Sequence, residues 1–170
     1  EARLHAEVDA VLAGRPPTLE SLRSLQFTDM VLNEAMRLYP PAPVVSRTAA
    51  EDTEVGGYKI PAGAELIIWL YFTHHDPRWF PEPEAFRPER FADGPPAAMR
   101  GTFLPFGGGS RLCIGKEFAL LEARLVLATV AQRFRLQLAP GQRVAPRFAV
   151  TLSPRYGMQM QLTARNPPSA

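Results

Sequence analysis

One short stretch constrains this chain more than any other. Phe106-Gly107-Gly108-Gly109-Ser110-Arg111-Leu112-Cys113-Ile114-Gly115 holds the only cysteine and runs straight into an apolar-periodic segment that continues to Arg133. Three consecutive glycines let the backbone turn tightly and approach a flat ligand without Cβ clashes, and Gly115 is expected to give the same freedom just after the sulfur. A helix opening after Gly115 aims its first amides back at the sulfur. Together with Arg111 these amides favour a thiolate over a thiol, so Cys113 is a candidate metal ligand. Taken alone, an unpartnered cysteine reads as a small buried hydrophobe, and the rest of the chain has to decide between the two.

Composition sets wide bounds. At 170 residues, with 46% hydrophobic and 21% charged, the chain is long enough for one domain with a sizeable core, and disorder is excluded. A net charge of +2 is too balanced to imply nucleic-acid binding. One cysteine excludes an internal disulfide and fits a reducing compartment, so a cytoplasmic location is expected. Proline, at 18 of 170 residues, is roughly twice its usual ~5% share and predicts long rigid stretches between elements. The longest apolar run, Leu66 to Phe72, falls well short of the ~20 residues that span a bilayer. The chain opens at Glu1, without an initiator methionine and already inside a helical pattern, which points to the C-terminal part of a longer protein.

Periodicity predicts mainly helix with small antiparallel sheets. Leu4, Val8, Val11 and Leu12 recur at helical spacing up to Gly14-Arg15-Pro16-Pro17, a stop signal. Thr18 is the expected N-cap of a short helix through Leu25, and a third helix begins at Phe27 or Thr28 and stops before Pro40. Glu34 and Arg37 share one face of that third helix. On an isolated helix they would form an exposed pair worth ~0.3–0.5 kcal/mol. The apolar neighbours Met30, Val31 and Leu38 argue for burial instead, which demands full partnering. Arg90, held between bulky residues in Pro88-Glu89-Arg90-Phe91, is the candidate third member.

Strands are expected at 44–48, 54–55, 58–60, 65–68, 134–138, 149–152 and 158–162, with a helical turn over 69–73. Residues 78–103 form a proline-rich, aromatic-rich meander without periodicity, and 115–133 a helix apolar nearly all round, expected in the core. A metal role for His74 or His75 finds no further ligands at useful spacing. The tail 166–170 is expected to fray.

Four stretches, in one order, resemble the haem-thiolate monooxygenases of the cytochrome P-450 family. Phe106, Gly109, Arg111, Cys113 and Gly115 fit the family's F-x-x-G-x-R-x-C-x-G loop. Glu34-Ala35-Met36-Arg37 fits its E-x-x-R helix, and Pro88-Glu89-Arg90-Phe91 fits the segment that supplies a second arginine to that glutamate. Gly57-Tyr58, Pro61-Ala62-Gly63 and His74 ahead of Asp76-Pro77 fit its sheet and the turn before the meander. The resemblance spans essentially the whole chain and implies the C-terminal haem-binding part of that fold, over residues 1–170.

It further implies that Cys113 is the proximal ligand of haem b, that Phe106 packs beside the sulfur, that amides near Gly115 tune its basicity, and that Arg111 and Arg47 hold the haem propionates. Glu34, Arg37 and Arg90 take structural roles. The central helix that delivers protons to bound oxygen in the family has no match. The remaining pocket pieces, Ala42 to Ser46 and Val150-Thr151, are mainly apolar and imply a small lipophilic substrate. O2 is the implied oxidant. Electrons would come from a reductase or a ferredoxin- or flavodoxin-type partner, fused or separate; the cations Arg100, Arg111, Lys116 and Arg124 read equally as its docking surface or as a solvated basic face. A peroxide-using or peroxide-rearranging member, or a truncated chain holding no haem, are the alternatives.

Overall fold

Leu4, Val8 and Leu12 fall on one stripe of α1 (Ala2–Leu12) and are almost fully buried, each contributing on the order of 1.5–3 kcal/mol relative to exposure. They pack against Leu22, Leu25, Ala128 and Ala131, with Phe27, Leu121 and Leu125 at the margin. Two of these partners lie more than a hundred positions downstream, so this core closes the chain on itself. The computed structural model describes residues 1–94 and 101–165; the fraying expected for 166–170, and Pro95, Pro96 and Arg100, fall outside the described residues.

α1 is followed by α2 (Leu19–Leu22) and α3 (Gln26–Leu38). Thr18 caps α2 as expected: its hydroxyl accepts from the Ser21 amide at 3.2 Å while Ser21 Oγ accepts from the Thr18 amide at 2.8 Å. α2 ends three residues earlier than the leucine spacing indicates. α3 starts one residue early and has no cap of its own. Instead Glu7, from α1, accepts from the Phe27 amide at 2.6 Å and from the Thr28 amide at 2.8 Å. A carboxylate at a helix N-terminus is stabilised both by these orphan donors and by the helix dipole.

β1 (Val45–Thr48) pairs antiparallel with β4 (Glu65–Ile68), and between them β2 (Thr53–Val55) pairs with β3 (Tyr58–Ile60). The strands expected here all form, but as two separate ribbons. Positive φ at Gly56 and Gly57 closes the tighter one. α4 (Leu70–His74) follows, and later α5 (Lys116–Arg133) leads into β5 (Phe134–Leu138). β5 pairs with β8 (Met160–Ala164), and β6 (Pro146–Arg147) with β7 (Ser153–Pro154). No strand forms over 149–152, which is the connection between β6 and β7. Arg165 locks the end of this region: it pairs with Asp9 of α1 at 2.6 Å and donates to the Ala131 carbonyl near the end of α5.

α5 departs from the all-round core helix its sequence predicts. Only Ala128, Ala131 and Gln132 are fully buried, while Phe118 and Val126 stand exposed. One side of α5 packs on α1 and α3, and the other faces outward.

Glu34 and Arg37 are both completely buried. Arg37 donates through Nε to Glu34 Oε2 at 2.7 Å and through Nη2 to Oε1 at 2.8 Å. Its remaining donors go to the carbonyls of His74 at 2.9 Å, Pro83 at 2.8 Å and Ala85 at 3.2 Å. Glu34 also accepts from the Arg87 amide at 2.8 Å and from Arg90 Nε at 3.2 Å. The pair is therefore buried, with Arg90 as third member, and it organises a stretch with few ladder hydrogen bonds of its own. Beside it, Phe80 and Phe91 form a second core with Met30 and Phe103. His74 is also fully buried, and burial, the largest influence, lowers its pKa from 6.5 to about 4.

Arg37→Ala in the full-length protein is expected to lose about 3–5 kcal/mol, because Glu34 stays buried without its bidentate partner. Arg90→Ala is expected to lose less, about 1–3 kcal/mol, since Glu34 keeps its other donors. Urea unfolding checks the order; a larger loss for Arg90→Ala would contradict it. His74 gives a separate pH signature. Unfolding takes up a proton between pH 6.5 and about 4, so its contribution is fully present above 6.5 and is lost as pH falls, by about 3 kcal/mol across the window. His74→Phe should flatten that part of the stability–pH curve.

Candidate functional site

The cysteine loop is built by its own backbone. The Gly107 amide donates to the Leu104 carbonyl at 3.0 Å, and the Cys113 amide donates to the Phe106 carbonyl at 3.0 Å, closing the loop across its base. Gly107 (φ 74°) and Gly109 (φ 64°) take left-handed conformations that a side chain would strain. Gly115 differs from the sequence expectation. Its φ of −87° is open to any residue, and a Cβ there would lie 3.9 Å from Cys113 Sγ. That is an ordinary contact distance, so neither backbone nor space there demands a glycine. Cys113 is exposed. Among the described residues no amide is hydrogen-bonded to Sγ; the first amide of α5, Lys116, is bonded to the Cys113 carbonyl at 3.3 Å instead.

Cys113 opens on a cavity of about 420 Å³. Phe106, Gly107 and Arg111 come to it from the loop, Arg47 and Val45 from β1, Leu70 from α4, and Met36, Pro41 and Ala42 from the end of α3 and the chain after it. Four of the five site residues expected from sequence, Arg47, Phe106, Arg111 and Cys113, thus meet around one space, with Gly115 behind the sulfur. The walls between them are apolar. Both arginines are exposed at the rim, and Arg47 Nη1 donates to the neighbouring Ser46 carbonyl at 2.7 Å. A soft sulfur at one point, two cations at the edge and an apolar lining suit a flat, largely apolar ligand that carries carboxylates.

Two expected pocket pieces separate here. Ala42 and Val45 line the cavity, whereas Val150 and Thr151 do not, and Val150 projects into solvent. The 150s connection is tied nearby instead, through the Leu152 amide donating to the Pro41 carbonyl at 2.9 Å. The expected docking cations also divide. Arg124 is committed to Asp29 of α3, and Lys116 Nζ sits 3.5 Å from Glu117. Leu70 and Met36 were missed by the sequence reading; apolar residues beside a helix end carry no signal that distinguishes a cavity wall from core.

A sequence model of the family described as Cytochrome P450 matches residues 1–161. Cyclooctatin synthase of Streptomyces melanosporofaciens is 45% identical over 154 residues, covering 90% of this chain and 34% of that protein. Cyclooctat-9-en-7-ol 5-monooxygenase of the same organism is 47% identical over 142 residues, covering 83% of this chain and 31% of that protein. Cytochrome P450 734A5 of Oryza sativa subsp. japonica is 44% identical over 162 residues, covering 92% of this chain and 30% of that protein. The chain spans about a third of the length of the curated relatives it matches. With the match running through both the buried ion cluster and the cysteine loop, this chain belongs to the cytochrome P450 family, whose members use haem b.

Proposed function

We propose that this chain is the C-terminal haem-binding part of a monooxygenase that hydroxylates a lipophilic molecule, with O2 and with electrons from a redox partner. The observation that carries the reading is the cavity where Cys113, Arg111 and Arg47 meet. Its donors fit haem b. One thiol faces the cavity, and among the described residues no group of three His, Cys, Asp or Glu could hold a bare metal ion. Haem, when bound, supplies an iron that activates O2, with electron donation from a thiolate ligand favouring O–O cleavage.

The protein's own part is orientation and solvent control. Cys113 presents its sulfur from a loop whose ends are fixed by backbone hydrogen bonds, so the ligand does not have to be ordered on binding. The guanidinium forks of Arg47 and Arg111, at the rim of the cavity that Cys113 opens on, would hold the carboxylates of a bound haem. Ala42, Val45 and Leu70 line the cavity with carbon, which excludes water and favours apolar ligands. The C-terminal placement is supported by the order of the motifs. One relative is named as a monooxygenase, which supports the reaction class.

In the full-length protein, the ferrous carbonyl should show the strongly red-shifted Soret band of thiolate ligation, and Cys113→Ser should abolish it. A red-shifted band that survives in Cys113→Ser would sink the assignment. Arg111→Ala and Arg47→Ala should each speed haem loss roughly tenfold without moving that band, as measured by transfer to apomyoglobin. Gly109→Ala is expected to cost about 1–2 kcal/mol, as its left-handed φ requires, and Gly115→Ala under about 0.5 kcal/mol. Equal losses in thermal unfolding would show that the left-handed turn is not what shapes the loop.

A further inference from the structure

We propose that His74 is a positioning residue for the haem-ligating loop: as a neutral imidazole it accepts the Leu104 amide and ties the start of that loop to the buried Glu34–Arg37 pair. The inference rests on the reading of Cys113 as the haem ligand and adds the residue that fixes where that ligand stands.

The connection is continuous. The Arg37 guanidinium donates to the His74 carbonyl at 2.9 Å, and His74 Nε2 accepts from the Leu104 amide at 3.0 Å. Leu104 in turn accepts the Gly107 amide, which starts the glycine turn, and the Phe106 carbonyl holds Cys113. The His74 ring is wedged between aromatic partners, 5.4 Å from Phe103 and 6.3 Å from Phe80, centroid to centroid, and has no exposed surface. Its place is therefore set by packing, and the Leu104 amide meets an acceptor that does not move.

Acceptance at Nε2 puts the ring proton on Nδ1, which is buried near the Arg37 and Met36 backbone without a well-aligned hydrogen bond. A phenylalanine would fill the same space but leave the Leu104 N–H without its acceptor. The acceptor at Nε2 accounts for a histidine at this position. Protonation would turn that acceptor into a donor facing the Leu104 N–H. Burial opposes a cation there most strongly, and the charges of His75 and Arg37 add to it, against the backbone of Arg37 and Met36, which favours one.

The test compares His74→Gln, which keeps an acceptor near the place of Nε2, with His74→Phe, which keeps the ring and removes the acceptor, in the full-length haem-loaded protein. His74→Phe should raise the Leu104 amide exchange rate about tenfold and move part of the ferrous carbonyl from the thiolate-type Soret band to the neutral-thiol type. His74→Gln should restore both readouts. Wild-type behaviour of His74→Phe, or a His74→Gln no better than His74→Phe, overturns the proposal. Should His74→Phe not accumulate as folded protein, the 15N shifts of the wild-type ring decide: protonated Nδ1 with accepting Nε2 supports it, and protonated Nε2 or an imidazolium at neutral pH overturns it. Cys113→Ser separates the two layers. If it leaves the carbonyl band unchanged, the ligand assignment fails, while amide exchange and ring shifts still judge His74.

Discussion

The guanidinium of Arg37 has no contact with water, and each of its five N–H donors has a protein acceptor. Taking such a charge out of water is expensive, and only a complete set of partners makes the arrangement tolerable. Two of those partners are the Glu34 oxygens on the same helix. The other three are backbone carbonyls of residues 74, 83 and 85, which lie in or beside chain with little regular structure of its own. A side chain satisfied in one arrangement only selects that arrangement, and the path of the irregular segment follows from it. Buried ion pairs are poor sources of net stability, but this one gives a ladder-free segment a defined geometry.

Several other contacts depend on that geometry. Arg90 reaches Glu34 because residues 88–91, a short 3-10 turn, are laid along α3. Phe80 and Phe91 then close a small aromatic core on Met30 and Phe103. Phe103 and Leu104 enter the cysteine loop directly, so the loop's root is set by an aromatic cluster on one side and the His74 imidazole on the other. Glu82 holds a left-handed φ of 52° that a non-glycine residue seldom adopts. Its carbonyl accepts from Arg90 and its carboxylate pairs with Arg87, so the same arginines that ring Glu34 also hold this turn.

The cavity at Cys113 is assembled from pieces with different structural origins. Arg47 rides on β1, whose register against β4 places it opposite Leu66. Arg111 and Phe106 belong to the loop, and Leu70 opens α4. The walls between them are apolar, and the two guanidiniums stand exposed at the cavity rim.

The local rules of sequence were enough for the helices and for most strands, because apolar spacing, proline stops and glycine turns act over a few residues; the short β6 and β7 were not among them. They also picked out the members of the ion cluster, since Glu34 and Arg37 lie one turn apart, while its burial depends on partners at 74, 83, 85, 87 and 90. Tertiary structure decided what depends on contacts between distant parts. Glu7 capping α3, Arg124 taken up by Asp29, and the absence of a strand over 149–152 each turn on a partner that no local pattern names. The two-sidedness of α5 has the same origin: periodicity tells how apolar a helix is, while only packing tells which of its faces meet α1 and α3. His74 shows the division most clearly. Its sequence offered two adjacent histidines and no metal partners; burial and one backbone amide thirty residues away gave the ring its acceptor role, because a hydrogen bond between distant segments exists only once packing has brought them together.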